Sequence, residues 1–103
     1  FVEPTSAIAC GISGSYKKLG DYPKALEWIL IALEARKTVP DGSTFLWAGI
    51  IYYELGDMEN AYKYFDLTYN ELRYTPFSME DKKYWQFYKQ RKEELNPKKK
   101  NKK

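Results

Sequence analysis

The sequence contains no histidine, and Cys10 is its one cysteine among 103 residues. Without histidine, the usual catalytic triads, histidine acid–base chemistry and the commonest zinc ligand are all excluded. A single cysteine can form neither an internal disulfide nor a cysteine metal cluster. No apolar run approaches the ~20 residues of a membrane span, since Glu27 interrupts ALEWILIAL. We therefore expect no cofactor, no metal and no membrane partner.

The positive charge lies at one end of the chain. The formal net charge is +3, but five lysines follow Pro97, so residues 1–97 carry a net charge of −2. We interpret residues 96–103 as a solvated, disordered Lys-rich tail. The alternative is electrostatic binding of nucleic acid or an acidic membrane surface. Because the tail has no aromatic residues to stack on bases and the body is acidic, nucleic acid is not the favoured partner.

A spacing of 36 residues recurs along the chain and indicates internal repeats. Leu19-Gly20-Asp21 returns as Leu55-Gly56-Asp57. The other residues in register at this spacing are Tyr16, Tyr52 and Tyr88; Ala25 and Ala61; Ile29 and Phe65; and Pro4, Pro40 and Pro76. The chain is therefore predicted to be a repeat array.

Each unit has the pattern of two helices joined by a glycine turn. Gly20 suits a left-handed helix stop, and Asp21 can cap the following helix. The predicted fold is all-α, with about five helices in antiparallel pairs stacked as an α-solenoid. Its predicted parts are a first unit at 5–40, a second at 41–76, a C-terminal capping helix at 77–95 that starts at Ser78, and the tail.

Residues 1–4 align with 37–40, the end of a second helix. They are interpreted as the remnant of a preceding unit. We therefore expect the chain to be the C-terminal part of a longer protein.

The repeat residues resemble the tetratricopeptide repeat (TPR) family. The resemblance covers about residues 5–74 as two units. It rests on Tyr16, Gly20, Asp21, Tyr22, Ala25, Ile29 and Ala32, and on Gly49, Tyr52, Gly56, Asp57, Ala61 and Phe65. The 36-residue period departs from the family's usual 34. The resemblance implies a protein-binding scaffold, and we expect it to be cytoplasmic.

In this family the first helix of each unit lines a concave groove, which the resemblance carries over to three sets of positions. They are Cys10, Gly14 and Lys17; Leu46, Ile50 and Tyr53; and Lys82, Gln86 and Lys89. Such a groove would suit a peptide with an apolar anchor and an acidic flank. The alternative is that Leu46 and Ile50 are core residues and the lysines are merely solvated. Some members hold a chaperone's C-terminal carboxylate with a lysine and an asparagine, but Cys10 and Gly14 occupy those places.

A second apolar surface is predicted on the second helix of each unit. Trp28 and Ile31 recur at the 36-residue spacing as Tyr64 and Leu67. If exposed, they would form a ridge for self-association or for another domain. The alternative is a broad core face, because apolar stripes at helical spacing are usually buried.

The stretch ACGISGSYKKLGD, residues 9–21, could be a phosphate-binding loop or a helix of small residues. It does not match the Gly-x-x-x-x-Gly-Lys-Ser/Thr pattern, and no strand precedes it. Its counterpart 36 residues on is FLWAGIIYYELGD. We therefore predict a helix whose glycines allow close approach of a neighbour.

These patterns favour a non-enzymatic protein–protein interaction module. The plentiful carboxylates form no catalytic site, since Asp21 and Asp57 are explained as helix caps. The alternative function is homo-oligomerisation, or docking onto an effector or catalytic domain elsewhere in the protein. In either case the partner is a protein or peptide.

Overall fold

The computed structural model describes residues 4–35 and 42–95, with side chains from 8–34 and 44–95. The helices are α1 (Pro4–Leu19), α2 (Tyr22–Ala35), α3 (Gly42–Glu54), α4 (Met58–Leu72), a 3₁₀ helix (Thr75–Met79) and α5 (Lys82–Leu95). No strand occurs in these two ranges, so the predicted all-α class with five α-helices is confirmed. The predicted tail at 96–103 and residues 1–3 of the predicted remnant lie outside the described part, as does most of the boundary between the two predicted units.

The turns that close α1–α2 and α3–α4 have the same backbone geometry. Gly20 has φ 82° and Gly56 has φ 88°, a left-handed conformation that costs a glycine little. The Asp21 amide donates to the Tyr16 carbonyl at 3.0 Å, and the Asp57 amide donates to the Tyr52 carbonyl at 2.9 Å. These bonds satisfy carbonyls that the helix end leaves free, so each glycine ends its helix as predicted.

The two aspartates that follow these glycines cap the next helix. The Asp21 carboxylate accepts from the Lys24 amide at 3.2 Å. The Asp57 carboxylate accepts from the Asn60 amide at the same 3.2 Å. Both predicted caps are confirmed, and the 36-residue spacing therefore describes two copies of one helix–turn–helix geometry.

The helices of each pair cross where both carry small residues. In the first pair, Ser13 is fully buried and its hydroxyl donates to the Ala25 carbonyl at 2.7 Å. In the second pair, Gly49 takes the place of Ser13, and a Cβ there would lie 3.3 Å from the Ala61 carbonyl oxygen. Ala25 and Ala61 are both fully buried. A larger residue at any of these positions would push the paired helices apart.

Two hydrophobic clusters meet at α3. The first contains Ala9, Ala25, Ile29, Ala32, Ala48 and Ile51. The second contains Leu46, Ile50, Ala61, Phe65, Phe77, Tyr84 and Tyr88. Because α3 supplies buried residues to both, it is apolar around most of its circumference, as expected of a helix covered on several sides.

The start of α5 differs from the sequence prediction. The sequence pattern predicts that Ser78 begins this helix, but Ser78 lies in the 3₁₀ helix, and its hydroxyl donates to the Thr75 carbonyl at 2.6 Å. The helix begins at Lys82, and the Asp81 carboxylate accepts from the Lys83 amide at 3.0 Å. Phe77 explains the difference, because the 3₁₀ helix buries this ring in the second cluster.

Candidate ligand-binding surface

The middle of the predicted groove is closed in this structure. Leu46 is 3 % exposed and Ile50 is 2 % exposed, and both belong to the second cluster with Phe77 and Tyr84. The 3₁₀ helix and α5 supply those two rings. This corrects the assignment of Leu46 and Ile50 to an accessible groove, because the alternative interpretation as core residues describes their environment.

The α5 end of the predicted groove is divided between two faces. Tyr53 is half-buried, and it meets the rings of Tyr84 and Phe87 edge-on at 5.2 and 5.3 Å between centroids. The exposed Lys89 instead lies over Trp85, with its Nζ 5.7 Å from the ring centroid. Trp85 in turn packs on Tyr69, Tyr74, Phe77 and Tyr88. Lys82 and Gln86, the other predicted α5 residues, are exposed.

The α1 end of the groove contains a concave site, which we call the α1–α3 hollow. It has a volume of about 210 Å³. Two predicted groove residues line it, Gly14 and Lys17, whereas the third α1 residue, Cys10, is half-buried outside its lining. Within the described part of the chain, its lining is Gly11, Gly14, Ser15, Lys17, Lys18 and Trp47. Five residues come from the last three turns of α1, and Trp47 alone comes from α3.

Trp47 and Gly14 fit each other closely. A Cβ placed on Gly14 would lie 2.8 Å from Cζ3 of the indole, closer than real contacts allow. The glycine therefore lets the indole lie directly against the α1 backbone. Lys17 covers another part of the ring, with its Nζ 5.5 Å from the centroid, within the range of a cation–π interaction.

The hollow is positively charged. Lys17 and Lys18 are the charged residues of α1. Both lie in its last turn, where the helix dipole stabilises positive charge. Among the described residues that line the site, none is a carboxylate. Two ammonium groups beside an indole can bind a carboxylate together with an apolar side chain.

Sequence reasoning found Gly14 and Lys17 but missed Trp47. The family positions that define the groove skip residue 47, and at the 36-residue spacing it pairs with Gly11. The sequence did offer a signal, because Trp47 is a bulky ring in one unit and its counterpart in the other unit, Gly11, is a glycine. It indicates that the large side chain fills space left by the small residues of the neighbouring first helix.

The predicted second ridge is only partly exposed. Trp28 and Tyr64 are half-buried and pack on the first cluster, and Tyr64 stacks on Tyr52 at 5.7 Å between centroids. Leu67 is also half-buried. Ile31 is the exposed member, at 43 %. Core packing thus accounts for the two aromatic members, and ligand binding by this face stays a prediction.

Two carboxylates that could have been catalytic candidates hold α5 in place. The Tyr84 hydroxyl donates to Glu54 at 2.6 Å, and the Lys83 ammonium lies 2.9 Å from the same carboxylate. Partial burial alone would raise the pKa of Glu54, but the bonds from Tyr84 and Lys83 outweigh it and lower that pKa. Burial, then the bond to Glu54, raises the pKa of Tyr84 far above its ordinary value.

The second tyrosine of α5 repeats this arrangement one helical turn later. The Tyr88 hydroxyl donates to Asp66 at 2.6 Å, and the Lys92 ammonium lies 3.5 Å from the same oxygen. Burial, followed by this hydrogen bond, raises the pKa of Tyr88. Both of these carboxylates therefore have a structural role, and we take the α1–α3 hollow as the candidate site.

The chain matches no protein-family profile, no curated protein and no solved structure. Among the described side chains, no group of three or more cysteine or carboxylate residues is arranged to hold a metal ion. Within the described ranges, each helix is too short or too polar to cross a membrane.

Proposed function

We propose that this chain is a non-enzymatic, TPR-like interaction module that binds an acidic peptide segment in the α1–α3 hollow. The helix pairs stack as a short solenoid, and the hollow lies between the first helices of successive units. The observation that carries the proposal is the indole of Trp47 beside Lys17 and Lys18. It offers an apolar face and two cations within one concavity.

The chemistry of the hollow selects the ligand class. A side chain that contacts the indole gains from burial, at roughly 25 cal/mol per Å² of apolar area removed from water. A glutamate or aspartate beside it pairs with the lysines, and a hydrogen bond to a charged group contributes about 1.5–3 kcal/mol. The preferred segment therefore places an acidic residue next to an aliphatic or aromatic one.

A peptide titration tests the proposal. The probes are labelled peptides that combine one leucine or phenylalanine with two glutamates, paired with versions in which glutamine replaces glutamate. The expected result is binding that weakens with salt and is lost in the glutamine versions. The double variant Lys17→Glu/Lys18→Glu is expected to bind at least about tenfold more weakly, because repulsion replaces attraction.

The matched control is Lys24→Glu/Lys63→Glu. It changes the net charge by the same amount, and Lys63 also lies over an aromatic ring, that of Tyr64, at 5.4 Å. If the control weakens binding as much as the change in the hollow, the charge of the whole chain is responsible and the site assignment fails. Absence of binding by every acidic peptide would contradict the proposed ligand class.

The second candidate function is self-association or docking onto another domain. Exposed apolar side chains favour it, namely Ile8 at 62 % and Leu19 at 79 % on α1, with Leu30 and Ile31 on α2. Sedimentation velocity distinguishes the two functions. A Leu30→Glu/Ile31→Glu variant would disrupt self-association through α2 and leave peptide binding unchanged.

A further inference from the structure

Three aromatic rings and two cations meet where α4, the following connection and α5 come together. Trp85 lies 5.8 Å from Tyr69 and 4.8 Å from Tyr74 between ring centroids. The Arg73 guanidinium carbon lies 5.5 Å from the centroid of Tyr69, and the Lys89 Nζ lies 5.7 Å from the centroid of Trp85. We call these five residues the α4–α5 platform. They are separate from the residues that line the α1–α3 hollow.

The platform faces solvent. Both of its cations are exposed and Tyr74 is 48 % exposed, while Tyr69 and Trp85 are half-buried. Among the described residues, neither platform cation forms an ion pair with a carboxylate, in contrast to Lys92, which pairs with Asp66. The rings and the cations that lie over them are therefore available to a ligand.

Arg73 occupies its place in the platform at a cost to the fold. It has φ 62° and ψ −143°, and it is the one non-glycine residue with positive φ in the described ranges. An L-residue is strained there because its Cβ crowds the backbone, whereas glycine adopts the conformation freely. Strain of this kind concentrates at functional sites. Here the strained residue supplies the guanidinium that lies over Tyr69.

The platform belongs to the positively charged part of the chain. Residues 73–103 contain eleven lysines and arginines but four aspartates and glutamates, which gives a net charge of +7, whereas residues 1–72 carry a net charge of −4. An asymmetry of this size attracts a polyanion to one end of the molecule. The Lys-rich tail has no aromatic residues, but the platform supplies rings within the same basic part of the chain.

We propose that the α4–α5 platform binds single-stranded nucleic acid. Each nucleotide combines a flat base with one phosphate charge, which matches an aromatic ring with a cation beside it. In the complex, Arg73 and Lys89 pair with phosphates. Bases stack on Tyr74 and on the ring faces that the two cations cover in the free protein. An acidic membrane offers similar charge but no flat groups for the rings, so it is the less complementary partner.

This inference goes beyond peptide binding in the α1–α3 hollow, and it reverses the preference against nucleic acid that the sequence favoured. The sequence placed the basic tail away from any aromatic residue. The structure places three rings and two cations together on α4, α5 and the connection between them.

Fluorescence anisotropy with a labelled oligothymidine of about twelve nucleotides tests the proposal. We expect saturable binding whose logarithmic association constant falls linearly with the logarithm of salt concentration, by about 0.7 for each phosphate neutralised. Arg73→Gln and Lys89→Gln should each reduce this slope by about 0.7. Tyr74→Leu should weaken binding at least about fivefold through lost stacking and leave the slope unchanged.

The matched control is Lys63→Gln, which removes one charge from another cation–ring pair on α4, with the Lys63 Nζ 5.4 Å from the Tyr64 centroid. It should leave the salt slope unchanged. If it reduces the slope as much as Lys89→Gln, the charge of the whole chain is responsible and the platform assignment fails. Heparin, a polyanion without bases, should bind equally well to the Tyr74→Leu variant. An equal loss of heparin binding in that variant would contradict base stacking.

Two further results would overturn the proposal. One is an oligonucleotide that does not bind even at low salt. The other is tighter binding to phosphatidylserine vesicles than to the oligonucleotide, with the same sensitivity to Tyr74→Leu, because the platform would then be a membrane-binding surface. Neither readout uses a peptide, and the substituted residues lie outside the hollow. Failure here is therefore distinguishable from failure of the proposed function.

Two substitutions at residue 73 separate backbone strain from charge. Arg73→Gln removes the guanidinium and keeps the strain, whereas Arg73→Gly removes both. We expect the two variants to bind the oligonucleotide equally weakly, while Arg73→Gly melts about 4 °C higher than Arg73→Gln. Binding as tight as that of the unaltered chain would contradict the role of Arg73 in the platform. A lower melting temperature for Arg73→Gly than for Arg73→Gln would contradict the strain.

Discussion

Replacing the helical glycines one at a time by alanine tests the packing described here. Gly11, Gly14 and Gly49 all occupy interior positions of α-helices. Because alanine has the better helix propensity, each substitution alone would raise the free energy of unfolding by about 0.5–1 kcal/mol. Their surroundings differ, so the three free energies of unfolding should differ in a predictable order.

The surroundings of each added methyl group set the magnitudes. At Gly11 a Cβ meets nothing within 4 Å, so the full gain remains and this variant is stabilised. At Gly49 a Cβ would lie 2.6 Å from two carbons of Phe65, a ring with 0 % exposure that cannot move aside. Overpacking of this kind costs about 1–3 kcal/mol, so Gly49→Ala is destabilised despite its propensity gain. Gly14 lies between them, because the added methyl group meets only the partly buried ring of Trp47, and we expect a net change of about zero.

Urea unfolding followed by circular dichroism measures these differences directly. For a domain of this size each kcal/mol corresponds to about 4–8 °C in melting temperature, so the series is also readable by heat. The expected order of stability is Gly11→Ala, then the unaltered chain and Gly14→Ala, then Gly49→Ala. A Gly49→Ala variant as stable as Gly11→Ala would refute the close crossing of α3 and α4.

Four further outcomes follow from the hydrogen bonds. Tyr88→Phe leaves Asp66 without its shortest hydrogen bond and should cost about 1.5–3 kcal/mol in urea unfolding, and much less in an Asp66→Asn background. The pKa of Tyr84 and of Tyr88 is higher in the folded than in the unfolded chain, so their contribution to stability is complete below about pH 10. This contribution is lost as the pH rises from there towards the pKa values of the folded state. A Tyr84→Phe/Tyr88→Phe variant should therefore lose stability less steeply in alkaline unfolding curves. The lowered pKa of Glu54 acts in the opposite direction: its contribution is present above its ordinary pKa of 4.5 and is lost as the pH falls through the folded value, so Glu54→Gln should flatten the acid limb of the same curves. Asp57→Ala should cost about 1 kcal/mol by thermal unfolding through loss of the α4 cap, and an unchanged melting temperature would contradict that role.

The 36-residue spacing predicted the features that depend on local chemistry, namely the helix ends and the helix caps. Gly20 and Gly56 end their helices because the turn requires positive φ, and the aspartates after them cap because their carboxylates reach the next amides. Those requirements are encoded within a few residues. They could therefore be read from the sequence without knowledge of the tertiary structure.

The environment of Leu46 and Ile50 could not be predicted in the same way. Both stand at positions where the resemblance to TPR proteins implied an open groove, but a 3₁₀ helix and α5 bury them here. Phe77 has no periodic pattern around it, and its place is decided by long-range packing with Phe65 and Tyr88. Residues distant in sequence therefore closed the middle of the predicted groove.

The α1 side of the candidate site was predicted from the sequence, but its α3 side was missed. Lys17 and Gly14 follow from helical register, whereas Trp47 joins them only because α1 and α3 lie side by side. The small side chains of α1 have a physical reason at Gly14, where the indole rests on the backbone. The stretch that could have been a phosphate loop thus forms one wall of the α1–α3 hollow, the site that we propose for an acidic peptide.

The most direct test of the central claim is an NMR titration of the ¹⁵N-labelled chain with an acidic, leucine-containing peptide. Binding in the α1–α3 hollow predicts saturable shifts at the amides of Gly11, Gly14, Lys17 and Lys18 and at the Trp47 indole N–H. The Trp28 and Trp85 indoles, which line other parts of the protein, serve as internal controls. Shifts confined to α5, or a spectrum unchanged at saturating peptide, would contradict the account.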